Sequence, residues 1–168
     1  WGDGGNYRLG HGTTDHQHTP KLVKALKKYT ITQLALGFAH GLTLNDKGNV
    51  YSWGQGPYGE LGHGNNDDQM LPKQIEYLKE NKYKVKKIHC HYNQSVLLLE
   101  DGGKVLTFGQ GEHGRLGHGD EVNQHTPKVI STLEDTKVSE INFGQIDYEG
   151  IIKYLVVERN FSQDRVQT

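Results

Sequence analysis

Ten histidines and one cysteine give this 168-residue chain its main means of binding a metal or moving a proton, and three of the histidines recur in one setting. His11, His63 and His118 each occupy the third place of a Leu-Gly-His-Gly tetrad, at 9–12, 61–64 and 116–119. Read as chemistry, they would form a ring of metal ligands or bases on one face of the molecule. Equivalent positions in neighbouring repeats lie too far apart to share a metal at bond lengths of about 2 Å. The tetrad is therefore expected to be structural, its glycines taking backbone angles closed to other residues and its histidine capping loop carbonyls.

The remaining candidates weaken in the same way. "HCH" at 89–91 suggests zinc, yet on a strand His89 and His91 point one way and Cys90 the other. Cys90 shares its repeat position with Leu36 and Phe143, so a small buried apolar residue is expected there. "GQGPYG" (54–59) and "GQGEHG" (109–114) look like phosphate loops, but neither leads into a helix or carries Gly-Lys-Ser/Thr. His16, His18 and His125 are expected to be exposed loop residues, and Asp67–Asp68 and Asp120–Glu121 solvated loop charges. No Gly-x-Ser-x-Gly, His-Glu-x-x-His or nucleophile with a base is present. The sequence predicts no catalytic residue, no metal and no cofactor.

The elements that carry these residues follow from a repeat. Leu9, Leu61 and Leu116 stand 52 and then 55 residues apart. Eight residues before each is an aromatic followed by glycine: Trp1-Gly2, Trp53-Gly54 and Phe108-Gly109. The leucine itself begins Leu9-Gly10, Leu61-Gly62 or Leu116-Gly117, and eleven residues later come Pro20, Pro72 and Pro127. Between these units, "ITQLALG", "VKKIHCH" and "VSEINFG" share a β-branched start and an apolar residue three positions on. Two apolar pairs, 40–54 and 94–109, are split by "NDKG" and "EDGG", the mark of a hairpin.

Four short strands per period predict an all-β fold, a partial β-propeller whose four-stranded antiparallel blades bury apolar faces on one another. In the second period the strands are expected near 31–36, 41–45, 49–54 and 71–76. The prolines are expected to start the outermost strand, where a missing N–H is tolerated. Trp1, Trp53 and Phe108 are expected to pack between blades. The pattern Trp-Gly, a glycine-rich loop, Leu-Gly-x-Gly, Pro and then Gly37-x-x-His40 resembles the regulator of chromosome condensation repeat across 1–157. That resemblance implies a seven-bladed propeller whose founding member drives nucleotide exchange on a Ran-type GTPase and contacts chromatin with its other face. Most relatives are interaction platforms or domains of larger proteins.

The chain departs from the pattern in places. His91 and Gln94 replace Gly-x-x-His in one copy, Gly144 and Asp147 in the next, and the tetrad does not return after Val157. The expected organisation is a half blade at 1–26, full blades at 31–78 and 85–133, a half blade at 137–157 and a polar tail at 158–168. Such a chain is not expected to close a ring alone, and its start at Trp1 suggests a piece of something longer.

Composition narrows the function. Net charge is −1, against nucleic-acid binding driven by overall charge. No eighteen-residue apolar run or signal peptide is visible, and a lone cysteine fits a reducing, intracellular compartment. The favoured function is a protein-interaction module, with guanine-nucleotide exchange on a Ran-type GTPase as the alternative. Its expected partners are the rest of its own propeller and another protein with an acidic surface or tail. The candidate docking site is a basic ridge of Lys24, Lys27, Lys28, Lys79, Lys82 and Lys84 on the connectors between blades. The opposite rim should be acidic, with Asp3, Glu60, Asp67, Asp68, Glu112, Asp120 and Glu121 in the glycine-rich loops.

Overall fold

The computed structural model describes residues 1–141, in which two four-stranded antiparallel sheets follow one another. The first holds β1 (Ile31–Leu36), β2 (His40–Asn45), β3 (Val50–Gly54) and β4 (Gln69–Gln74) in sequence order. A short helix α1 (Glu76–Glu80) leads to the second, with β5 (Val85–His91), β6 (Gln94–Leu99), β7 (Val105–Gly109) and β8 (Gln124–Val129). These are propeller blades: each meanders from an inner to an outer strand, and the two stack through β1 and β2 against β5.

Strand alternation builds the core. Leu97 and Leu99 of β6 join Leu42, Leu44, Val50, Ile88, Cys90 and Phe108 between the blades. Their neighbours Val96 and Leu98 face the other way, onto Ile130, Val138 and Ile141. With both faces covered, every residue of β2 and β6 is buried. The β2–β3 turn closes as its sequence predicts. Gly48 takes φ +75°, and Asn45 Oδ1 accepts from the N–H groups of Lys47 and Asn49 at 3.1 and 2.9 Å.

Three expectations change. Pro72 and Pro127 lie within β4 and β8, not at their starts. There the register slips: Met70–Pro72 stand opposite Trp53 alone, and His125–Pro127 opposite Phe108. A bulge on an edge strand leaves an N–H unpaired, so proline costs nothing there. Trp1 is 73% exposed rather than packed between blades. Residues 1–26 contribute one isolated bridge, Gly2–Gln17, with 3-10 turns at Gly5–Tyr7 and Lys24–Leu26. The departure at Asp147, most of the segment 137–157 and all of 158–168 lie outside the described residues.

Candidate interaction surfaces

The tetrad histidines are engaged in folding. Ser52 Oγ donates to the carbonyl of Leu61 at 2.7 Å and lies 2.9 Å from His63 Nε2. The hydroxyl has one proton, already given to Leu61, so His63 Nε2 is the donor and its ring is the Nε2–H tautomer. Thr107, Leu116 and His118 repeat the arrangement at 2.7 and 2.9 Å. The sequence predicts that the histidine caps the loop carbonyl directly; instead it reaches that carbonyl through a strand hydroxyl. Burial holds the His63 pKa down at about 4, and His118 and His11 are also lowered by burial. Among the described residues no group of three or more His, Cys, Asp or Glu could hold a metal ion.

The tetrad glycines explain the rest of the motif. A Cβ on Gly10 would come within 3.0 Å of the Trp53 ring, and one on Gly62 within 2.9 Å of Phe108. The first two tetrads thus seat the aromatic of the following blade, and Trp53 Nε1 donates to the carbonyl of Arg8 at 2.9 Å. Gly12 and Gly64 donate to Met70 and His125, the same position on successive outer strands, at 3.0 and 2.8 Å. His125 is therefore a half-buried strand residue of β8, not an exposed loop residue.

One repeated contact left no trace in residue types. The N–H groups of Gly4, Gly56 and Gly111 each donate to a side chain twelve residues on: His16 Nδ1, Asp68 Oδ1 and Asn123 Oδ1, at 3.1, 3.0 and 2.9 Å. Three different acceptors do one job, so only the constant spacing could have found it. Asp68 is a loop staple rather than a merely solvated charge.

Glu60 also departs from expectation. The sequence puts it on the acidic rim, but it is 1% exposed. Its Oε2 accepts from the N–H of Tyr58 at 2.8 Å, and burial pushes its pKa up to about 7. Beside it, Ser95 Oγ of the next blade donates to the Glu60 carbonyl at 2.7 Å and lies 3.1 Å from His40 Nε2. Buried His40 has a pKa lowered to about 4 by desolvation, and its Nδ1 has no partner among the described residues. The group joins two blades but is closed to substrate. Cys90 is 6% exposed, and burial pushes its thiol up.

The lysines lie on connectors at the opposite end of the blades. Lys24, Lys27, Lys28, Lys79, Lys82 and Lys84 are all exposed. The N–H of Asp46 donates to Thr30 at 2.9 Å, and Lys84 Nζ to the carbonyl of Lys47 at 3.0 Å. These bonds tie the Lys27–Lys28 connector, the β2–β3 turn and Lys84 into one strip. Lys79 differs, its charge being met by Glu76 at 3.1 Å. The same end carries exposed Asp46, Glu100 and Asp101, the last two in the β6–β7 turn. A 300 Å³ cleft on the outer rim is lined by His63, Lys73, Glu76, Tyr77, Glu80 and Thr126.

Stacked four-stranded blades, each seating its aromatic in the preceding blade's tetrad, define a repeat-built β-propeller. The chain belongs to the regulator of chromosome condensation (RCC1) repeat family, whose model matches residues 1–44, 47–98 and 102–145. It is 35% identical to the E3 ubiquitin-protein ligase HERC2 of Homo sapiens over 145 residues, 86% of this chain and 3% of that protein. It is 32% identical to the ultraviolet-B receptor UVR8 of Arabidopsis thaliana over 126 residues, 75% of this chain and 28% of that one. The chain thus spans a small fraction of the relatives it matches. Among solved structures it superposes on Prp20p of Saccharomyces cerevisiae with TM-score 0.71 and 26% identity, covering 94% of this chain and 40% of that one. That structure was described with the binding properties of Prp20p to Gsp1p and histones. Yeast RCC1 (Prp20) bound to Kap60 gives TM-score 0.70 at 24% identity, covering 84% and 35%. Among the described residues no helix is long and apolar enough to cross a membrane.

Proposed function

We propose that this chain is a non-catalytic protein-binding module, an intracellular propeller segment that completes a larger propeller and presents its end surfaces to other proteins. The observation that carries this reading is the continuous strip joining Lys27, Lys28 and Lys84 across two connectors through the Thr30–Asp46 and Lys47–Lys84 bonds. Its ligand is an acidic surface or tail of another protein, held by salt-sensitive contacts. Lys24 and Lys82 extend the strip, whereas Lys79, already paired, contributes least. A second contact is with the rest of the propeller. Leu34 and Leu36 of β1 are each 60% exposed, while their repeat equivalents Ile88 and Cys90 are buried on the preceding blade. Net charge of −1 argues against nucleic acid. Exchange on a Ran-type GTPase is the alternative, supported by the relative's binding to Gsp1p but by no constellation among the described residues.

Fluorescence anisotropy of a labelled glutamate-rich peptide against the whole chain, at low and at physiological salt, tests the ridge. Reversing Lys27, Lys28, Lys82 and Lys84 to Glu is expected to weaken binding and flatten its salt dependence. Unchanged affinity would leave the ridge as ordinary surface. Acceleration of nucleotide release from a Ran-type GTPase would instead favour exchange.

A further inference from the structure

The β1–β2 and β3–β4 loops of each blade emerge together at the end opposite the lysine strip, because the strands run antiparallel in sequence order. Two large aromatics are presented there rather than buried. Phe38 and Tyr92 hold the same position in successive β1–β2 loops and are 56% and 51% exposed. Their rings stack at 5.3 Å between centroids with 20° between planes, and the N–H of Phe38 donates to the Tyr92 carbonyl at 2.9 Å. Neighbouring blades thus fix the pair in place. Packing does not require them to be aromatic, since neither joins a buried cluster.

The surroundings say what such a pair would hold. The Arg8 guanidinium already lies over the Phe38 ring, 5.9 Å from its centroid, and its charge is met by Asp3 at 3.2 Å. The mode of recognition is therefore on display within the chain itself. Arg115, the other arginine of these loops, is 3.7 Å from Glu112. With both arginines matched and Asp120 met by Lys128 at 3.9 Å, Asp15, Asp67, Asp68 and Glu121 remain as exposed carboxylates, and the loops at 3–18, 37–39, 55–68, 91–93 and 110–123 contain no lysine. An aromatic platform in a negative field attracts cations, and guanidinium above all, because it stacks flat on a ring and is weakly hydrated.

We propose that the Phe38–Tyr92 stack is the anchor of a second docking surface, which takes an arginine-rich segment of a partner protein. One arginine lies over the exposed Tyr92 ring as Arg8 lies over Phe38, and the loop carboxylates steer and hold the other positive charges. This surface is independent of the lysine strip, has the opposite charge preference, and would let the propeller bridge two partners.

The probe is a labelled peptide of four Gly-Arg-Gly-Gly units, compared with lysine and glutamine counterparts by anisotropy against the whole chain. Binding is expected in the order arginine, lysine, glutamine. Phe38→Ser with Tyr92→Ser should weaken the arginine peptide by about tenfold, and Phe38→Tyr with Tyr92→Phe should restore it. Asp67→Asn with Glu121→Gln, on loops away from the rings, should reduce affinity and its salt dependence. Should the serine pair lose its thermal transition, the carboxylate pair decides. Full affinity in that pair, equal binding of the glutamine peptide, or no binding of any peptide overturns the proposal. So would concentration-dependent self-association that ends with Lys27→Glu and Lys28→Glu, because the acidic face would then belong to a second copy's lysine strip.

Discussion

Gly41 and Trp53 stand directly opposite each other on β2 and β3, and a Cβ at Gly41 would lie 2.5 Å from Trp53 Cζ2. In the next blade the equivalent pair is Ser95 and Phe108. The larger ring faces the residue with no side chain, and the smaller ring leaves room for one. Gly41→Ser is expected to cost about 1–3 kcal/mol by overpacking. Adding Trp53→Phe should recover part of that loss, despite forfeiting the bond to Arg8. Urea unfolding of the two single variants and the double, at fixed protein concentration, reads the coupling. Strict additivity would show that the two positions do not share this space.

Trp53 is 4% exposed and seated in the preceding blade's tetrad, so Trp53→Ala should destabilise by about 3–5 kcal/mol. His63→Ala removes one neutral hydrogen bond to Ser52 and should cost about 1 kcal/mol, leaving metal content by elemental analysis unchanged. Loss of a stoichiometric metal in that variant would return the tetrad to chemistry.

The Glu60 carboxyl has its pKa raised by burial from 4.5 to about 7. The folded chain holds this proton more tightly than the unfolded chain. Its stabilising effect is thus complete below pH 4.5 and fades as pH rises through 7. Glu60→Gln should therefore be more stable than the parent above pH 7, by on the order of 3 kcal/mol, and equal to it below pH 4.5. Parallel melting curves against pH for the two proteins would refute the effect.

His40 has the opposite sign. Burial lowers its pKa from 6.5 to about 4, so the unfolded chain takes up the proton first, and stability is lost as pH falls from 6.5 towards 4. Gln94 fills the same position in the next blade, and His40→Gln is expected to flatten this acid limb while keeping the contact to Ser95. A thermal midpoint that falls just as steeply in the variant would place the acid sensitivity elsewhere.

With Leu34 and Leu36 uncovered on β1, the 168-residue chain alone should self-associate or aggregate. Leu34→Lys with Leu36→Thr should reduce this in sedimentation velocity. A monomer with a sharp cooperative melt in the unaltered sequence would show the face to be self-sufficient.

The fold was legible in the sequence because repetition removes ambiguity. Aromatic-glycine, Leu-Gly-x-Gly and proline at fixed offsets mark backbone positions whose angles and packing recur in every blade. The β1 bounds were read as they stand, and those of β2 and β3 within a residue. The β4 estimate slipped by two, since a bulge inserts residues without changing the pattern of types.

What the sequence determined by itself is the unit: four strands, a hairpin signalled by Asn45–Gly48, and a tetrad whose glycines all take positive φ, between +67° and +87°. Those are local requirements, set by backbone sterics and side-chain alternation. What only the tertiary structure decided is which groups meet across blades. It buried Glu60 while leaving its repeat equivalents Arg8 and Arg115 half-buried, gave the Trp53 N–H to the carbonyl of Arg8, and stacked Phe38 on Tyr92 across 54 positions of sequence. Burial, pKa and surface field depend on neighbours brought close by stacking, and stacking distances are not written in spacing along one chain.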